Sequence, residues 1–273
     1  MCDTCKTGYY LCTNSKSGKR SCCTNAISSC GEAPSSGMFD MLVNGNKEPV
    51  WCDKDTEGGG WTTILRRTDG SVNFASYGLA DYASTTIGSP DNEFMISLNL
   101  LHTLTSSVRQ ELDVTITHNG VVYSSKYGLF SVGDEAGGFV LTVGEYSSYS
   151  TAGDALTPIA NGMMWTTFDS DNDLSSGNCA NTHSSAFWFG DCSNANPLGA
   201  YGDTTGKGVY WNSLFANTIS LDSIEFKIRP NVCPNGPSKT CTDCGPGLYV
   251  CSIPGEGTSC CTQPITSCEE ASN

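Results

Sequence analysis

The chain has 273 residues, 38% of them hydrophobic, with 14 basic against 28 acidic side chains and a formal net charge of −14. This composition supports a packed core, excludes bulk disorder, and leaves too few cations for the basic face that phosphate-backbone binding requires. No apolar run reaches the roughly 18 residues of a membrane span, and sixteen cysteines fit an oxidising, extracellular compartment better than a reducing cytosol.

In chain order, the first thirty residues hold Cys2, Cys5, Cys12, Cys22, Cys23 and Cys30. The next two hundred or so hold only Cys52, Cys179 and Cys192, and residues 233–273 hold Cys233, Cys241, Cys244, Cys251, Cys260, Cys261 and Cys268. Terminal segments this short cannot bury a core of their own and are expected to be stapled. A zinc site is the other reading of each Cys-x-x-Cys, but disulfides are expected in a secreted acidic chain. The neighbours Cys22-Cys23 and Cys260-Cys261 are expected to reach different partners, and the connectivity stays open. Met1 is followed by Cys-Asp-Thr-Cys, without a charged or apolar leader. The sequence is therefore expected to be a mature piece or a cut from a longer secreted chain.

The two terminal modules are copies. Cys2, Cys5, Cys12, Cys22, Cys23 and Cys30 match Cys241, Cys244, Cys251, Cys260, Cys261 and Cys268, and Cys2 stands 239 residues before Cys241. Gly8 and Tyr10 match Gly247 and Tyr249; Thr24, Ile27 and Ser29 match Thr262, Ile265 and Ser267. An internal repeat of this kind signals a tandem array.

Between the modules, alternation and β-branched content predict strands at 37–43, 49–52, 60–66, 111–117, 121–123, 139–143 and 222–228. Asn119-Gly120 reads as a hairpin turn, and residues 71–84 and 97–106 read as short helices. Residues 147–215 are rich in Gly, Ser, Asn and Asp. So long a loop region is expected to be functional or held by something other than a core. Asp169-Ser-Asp-Asn-Asp173 sits inside it, and three carboxylates at alternate positions suit a hard cation such as Ca²⁺. It is not an EF-hand, since Leu174 and Ala180 stand where that loop needs Gly and Glu; a solvated acidic turn is the plainer alternative.

Ten motifs run in one order: Trp51-Cys-Asp53, Gly58-Gly-Gly-Trp-Thr62, Arg66-Arg67, Asp69-Gly-Ser71, Glu93-Phe94, His102-Thr-Leu-Thr105, Ala152-Gly-Asp154, Asp169-Ser-Asp-Asn-Asp173, Asn178-Cys-Ala180 and Lys227-Ile-Arg-Pro230. Over residues 30–230 the chain resembles the fibrinogen C-terminal domain family, which includes fibrinogen, ficolins, tachylectins and angiopoietins. The resemblance implies an α+β fold with a twisted, mostly antiparallel sheet and a loop-rich Ca²⁺-binding region, here set between two disulfide-rich modules. The expected boundaries are 1–29, 30–231, 232–267 and, for the start of a following repeat, 268–273. The resemblance implies disulfides Cys30–Cys52 and Cys179–Cys192. It also implies Ca²⁺ held by the Asp171 and Asp173 side chains and the Ser175 and Gly177 carbonyls, with Asp169 in support.

In its lectin members the family binds acetyl groups beside that cation, using aromatic walls and a histidine after the second cysteine, behind a cis peptide bond. The corresponding positions here are His183, Ser193, Thr205 and Asn217. They lack the apolar wall and the donor that an acetamide needs, which argues against ordinary acetyl binding and against a cis Cys192–Ser193 bond. Trp51, Trp61, Trp165, Trp188 and Trp211 read as core rather than as a sugar platform, and His102 as structural. Nothing resembles a nucleophile elbow or a phosphate loop, so no enzyme is expected; there is no Asn-x-Ser/Thr sequon and no Arg-Gly-Asp.

With the two implied disulfides set aside, an odd number of cysteines stands in front of the globule, and Cys268 lacks the partner that Cys52 is to Cys30. Either the chain is a window on a longer tandem protein or neighbouring chains supply the partners; both lead to a head-to-tail assembly. The expected function is that of a non-catalytic extracellular structural protein, self-assembling into a filament or matrix. The alternative is a Ca²⁺-dependent lectin or adhesion protein of the ficolin or tachylectin kind, acting on glycans. No nucleic-acid partner and no membrane span are expected.

Overall fold

The computed structural model describes residues 26–231 in full, together with the backbone of four flanking strands at 9–13, 20–24, 249–253 and 257–261. The expected module boundaries at 1–29, 232–267 and 268–273, and the remaining terminal cysteines, fall largely outside the described residues. The chain divides into two compact units, Met1–Thr63 and Ile64–Asn273.

In the first unit, β1 (Tyr9–Thr13) pairs antiparallel with β2 (Arg20–Thr24). β3 (Ala26–Ile27) then runs parallel to β4 (Gly37–Val43), placing Ile27 opposite Met41. β4 turns back into β5 (Asn46–Asp53) through Asn44-Gly45, with φ of 49° and 82°. Two successive left-handed residues match the twist of a two-residue hairpin, which is why Asn-Gly stands there; the sequence reading passed over this turn. Ile27, Phe39, Met41, Val50 and Cys52 are buried, and a disulfide joins Cys30 to Cys52. β5 pairs antiparallel with the first residues of β6 (Trp61–Arg67), Cys52 opposite Thr62.

The second unit begins inside β6. The helix expected over 71–84 is instead a 3-10 turn at Phe74–Ser76 followed by α1 (Leu79–Ser84). At the start of the segment the Val72 N–H donates to the buried Glu93 carboxylate, which also takes the N–H groups of Thr68, Asp69 and Gly70 just before it, so the approach to Phe74 is held as a loop. β7 (Ile87–Gly88) and β8 (Phe94–Met95) follow, and β8 pairs with β6. α2 (Leu98–Ser106) starts one residue later than the expected 97–106, because Ser97 is its cap and accepts from the Leu100 N–H at 3.3 Å.

The sheet of this unit runs in the order β11, β10, β9, β12, β6, with β9 at Gln110–His118, β10 at Val121–Val132, β11 at Leu141–Tyr146 and β12 at Ser223–Pro230. Asn119-Gly120 makes the β9–β10 turn, with φ of 52° and 74°. β11 starts two residues later than expected because Phe139 is left-handed (φ 55°) and cannot lie in a strand. Leu112, Val114 and Ile116 face Ile228, Phe226 and Ile224 across β9–β12 and are buried. Between them, Asp113 and Lys227 form a buried ion pair at 3.6 Å.

Residues 147–215 hold isolated bridges and one short helix, α3 (Cys179–His183). The expectation that something other than a core holds this region is corrected. Trp165, Phe187, Trp188, Phe189, Tyr210 and Trp211 are all buried in it, and Trp165 meets Trp188 edge-on at 4.6 Å. Aromatic packing substitutes for regular elements. Four of the five tryptophans are buried, as a core role requires; Trp51 is half-buried.

Candidate functional site

The acidic loop is shaped by two asparagines. Asn172 donates from Nδ2 to the Trp165 carbonyl at 2.9 Å, and Asn178 donates to that of Thr167 at 2.9 Å. They hold the backbone so that the Asp173 carboxylate turns inward, accepting from the Ser175 N–H at 3.0 Å and the Cys179 N–H at 2.8 Å. Asp171 lies beside it and accepts from the Asp173 N–H at 3.4 Å. Partial burial raises the Asp173 pKa above the ordinary carboxylate value and the Asp171 charge adds to the rise, outweighing the two N–H donors. Two carboxylates that press on one another in this way are what a divalent cation relieves. Gly177 is exposed, and no other atom lies within 4 Å of the place a Cβ would take. Among the described residues no group of three or more His, Cys, Asp or Glu could hold a metal. A cation at Asp171 and Asp173 therefore needs further oxygen ligands, the role the resemblance gives to the Ser175 and Gly177 carbonyls. The residues fit Ca²⁺.

Asp169 does something else. Its Oδ1 accepts from the Leu79 N–H at 3.0 Å and from the Thr167 hydroxyl at 2.6 Å. It closes the first turn of α1 and ties that turn to the loop.

The loop ends at the Cys179–Cys192 disulfide, which opens α3. No peptide bond among the described residues is cis; Cys192 instead takes a left-handed φ of 54°. Of the four pocket positions, two share a neighbour. His183, half-buried at the end of α3, donates from Nδ1 to the Gly206 carbonyl at 3.0 Å and lies parallel to Phe189. Tyr210 places its hydroxyl 3.4 Å from His183 Nδ1 and 3.5 Å from the Ser193 carbonyl; burial pushes its pKa up to about 12. Thr205, exposed, donates from N and Oγ1 to Asp203 Oδ1 at 2.7 and 2.8 Å. The Asn217 Nδ2 lies 3.6 Å from where a Cβ on Gly206 would stand. His183 and Ser193 thus meet at Tyr210, whereas Thr205 is turned to Asp203 and Asn217 lies near Gly206.

Two residues here were missed in the sequence. Tyr210 was legible only as the neighbour of Trp211. Asn196 is fully buried; its Nδ2 donates to the His183, Lys207 and Gly208 carbonyls at 3.2, 3.3 and 2.9 Å, and its Oδ1 has no partner among the described residues. It fastens α3 to the 203–208 loop. The same region is tied to β6 by Arg67, which donates to the Gly199 carbonyl at 2.8 Å. His102 donates to the Val132 carbonyl at 2.8 Å, joining α2 to β10.

A family model described as the C-terminal globular domain of fibrinogen beta and gamma chains matches residues 19–231. Fibrinogen-like protein A of Apostichopus parvimensis is 37% identical over 215 residues, 76% of this chain and 74% of that protein. Tenascin of Gallus gallus is 37% identical over 200 residues, 72% of this chain but only 11% of tenascin. Among solved structures, the fibrinogen-like globe domain of human ANGPTL6 superposes with a TM-score of 0.70 at 32% identity, covering 74% of this chain and 95% of that one. Lamprey fibrin D-dimer, solved with the peptide Gly-His-Arg-Pro-amide, shares the fold at a TM-score of 0.69 and 23% identity, covering 78% of this chain and 77% of that one.

Proposed function

The chain belongs to the fibrinogen C-terminal domain family, and from that membership we infer that it is a non-catalytic extracellular protein of assembly or adhesion. The family consists of structural and recognition proteins, and the likeness to tenascin points the same way. The chain acts by presenting a rigid surface, with the Arg67–Glu93 ties and the aromatic core holding irregular loops in place. Ca²⁺ at Asp171, Asp173 and the Ser175 and Gly177 carbonyls neutralises the two converging carboxylates and stiffens the loop next to the His183–Tyr210 cluster.

The preferred reading is a disulfide-stapled, head-to-tail filament or matrix. One observation carries it. In β1–β2, Tyr10 stands opposite Cys23 and Cys12 opposite Ser21. In the hairpin of β13 (Tyr249–Ile253) and β14 (Gly257–Cys261), Tyr249 stands opposite Cys261 and Cys251 opposite Ser259. Matching residues of the two sequence copies therefore pair in the same register on either side of one globule. A module repeated in this way supports a contact that does not close on itself and so grows into a fibre. Electron microscopy of native material tests it: filaments with an axial repeat of one globule plus one module are expected, and a strictly monomeric, monodisperse preparation at high concentration refutes it.

A second reading, a Ca²⁺-dependent lectin or adhesion protein, is favoured by the meeting of His183 and the Ser193 carbonyl at the Tyr210 hydroxyl, directly after the acidic loop. Glycan-array retention that disappears with chelator is expected from it. Absence of binding to any glycan in Ca²⁺ removes it.

A further inference from the structure

Asparagine followed by glycine occurs three times among the described residues, at Asn44-Gly45, Asn119-Gly120 and Asn161-Gly162, and all six residues are exposed. A glycine in this position leaves its backbone nitrogen open to approach, so that nitrogen can attack the asparagine side-chain carbon and expel ammonia. Exposure is common to the three pairs and does not rank them; their surroundings do.

At Asn161 both reacting groups are engaged. The Gly162 N–H donates to the Leu141 carbonyl at 2.8 Å, and Asn161 Oδ1 accepts from the Val143 N–H at 2.9 Å. Asn44 and Asn119 instead sit in two-residue hairpin turns of the same shape, with φ of 49° and 82° in one and 52° and 74° in the other. No other atom lies within 4 Å of the place a Cβ would take on Gly45 or Gly120. The two turns differ in the residue before them, Val43 in one and His118 in the other. Asn119 Nδ2 donates to His118 Nε2 at 3.0 Å. The imidazole is held for this contact: Nδ1 stands 3.6 Å from Asp222 Oδ1, and the ring meets that of Phe215 at 5.0 Å. Asp222 Oδ2 also accepts from the Asn119 N–H at 2.7 Å, so one carboxylate positions both the ring and the turn.

We propose that Asn119 is a modification site, at which His118 assists the spontaneous conversion of the Asn119-Gly120 turn to aspartate or isoaspartate. The Gly120 nitrogen gives up its proton to water and bonds to Asn119 Cγ. The Cγ–Nδ2 bond breaks, protonated His118 passes its Nε2 proton to the departing nitrogen, and ammonia leaves; the imidazole recovers a proton from water. Water then opens the imide at either carbonyl. No oxidant is consumed. The product has a carboxylate where the amide stood, which sets His118 between two acids, the new one and Asp222. Isoaspartate also lengthens by one carbon a turn whose register pairs His118 with Val121.

The test incubates the full, folded chain at neutral pH and follows the three sites by proteolysis and mass spectrometry that resolves Asn, Asp and isoaspartate. Positioned acid catalysis contributes about 10²–10⁴-fold, and a contact at an exposed turn is expected to make Asn119 about tenfold or more faster than Asn44. Asn161 should be the slowest of the three. His118→Gln should bring Asn119 down to the Asn44 rate and leave Asn44 unchanged. In chain unfolded by urea the ring is no longer held, and the excess at Asn119 should fall away. An Asn119 no faster than Asn44 in the folded chain overturns the proposal, as does an excess that survives His118→Gln or unfolding. Should His118→Gln fail to fold, the comparison of folded with unfolded native chain decides by itself, since it needs no variant.

Discussion

Glu93 is the residue whose replacement most directly tests how the loops are held. Its carboxylate accepts from the N–H groups of Thr68, Asp69, Gly70 and Val72 at 2.8, 3.0, 2.9 and 3.1 Å, and from Arg67 Nε at 3.2 Å. The Glu93 and Arg67 side chains are 0% and 1% exposed. Glu93→Gln keeps one acceptor oxygen but turns an NH₂ group toward a donor and leaves the Arg67 charge without a counterion. Removing one partner of a buried ion pair costs about 3–5 kcal/mol, and the lost backbone acceptor adds about 1–3 kcal/mol, so a loss of at least roughly 3 kcal/mol is expected. Urea unfolding followed by tryptophan fluorescence reads this as a midpoint lowered by about 1 M or more.

Acidity supplies an independent check. Burial alone raises the Glu93 pKa, but the Gly70 N–H, the Arg67 charge and the other N–H donors outweigh it, and the folded value lies below the ordinary one. A depressed folded pKa means that the stabilisation is complete above the unfolded pKa of about 4.3 and is lost as pH falls through the folded value. The native chain should therefore lose stability across that acidic window, and Glu93→Gln should show a flatter profile there. If the variant unfolds within about 0.5 kcal/mol of the native chain, the range of an ordinary surface change, the nest around Glu93 does not hold this loop. A double variant, Arg67→Met with Glu93→Leu, should recover only part of the loss, because it removes the stranded charge but still orphans four N–H groups.

Asp173→Asn should weaken Ca²⁺ binding measured by isothermal titration calorimetry by about tenfold or more, the effect of losing roughly 1.4 kcal/mol of ligand interaction; unchanged affinity refutes the ligand assignment. Chelator added to protein in Ca²⁺ at about 100 times its dissociation constant should remove about 2.7 kcal/mol of stability, seen as a lower thermal midpoint that added Ca²⁺ restores. Gly120→Ala, in open space at φ 74°, should cost about 1 kcal/mol through backbone strain alone, and an unchanged melting temperature contradicts the left-handed turn. Replacing Cys179 and Cys192 together by Ser should cost about 2–4 kcal/mol and loosen α3, measurable as faster amide exchange at 179–185; unaltered exchange shows that Asn178 and Asn196 suffice.

Local signals were legible wherever a residue's partner lies close in sequence or its pattern is periodic. The alternation Gly37–Val43 became β4 with the expected bounds, Ser97 capped α2, and Asn119-Gly120 made its turn. The copied cysteine spacing marked the two terminal modules as alike, and the matching register of their hairpins came only with the structure. The helix expected over 71–84 fell short at its start because Glu93, which lies beyond the segment, holds Val72 and the preceding residues 68–70 in a loop. Residues 147–215 carry no period; Trp165, Trp188 and Trp211 were read there as core, but nothing in the order of the segment announced that Phe187, Phe189 and Tyr210 would pack with them. The candidate site was only half readable: Asp169, Asp171 and Asp173 stood out by charge and spacing, and the resemblance put Asp169 in support, but its tie to α1 and the places of Tyr210 and Asn196 came only with the structure.

What the sequence alone determined is the set of groups available and their local geometry: the excess of acidic side chains, the copied cysteine spacing, the strands and the turns. Tertiary structure alone decided which groups meet. Buried N–H groups and carboxylates must find partners, and in this chain those partners are brought in from distant positions, as Glu93 is to Thr68 and Asn196 to Gly208. Spacing along the chain carries no record of such encounters.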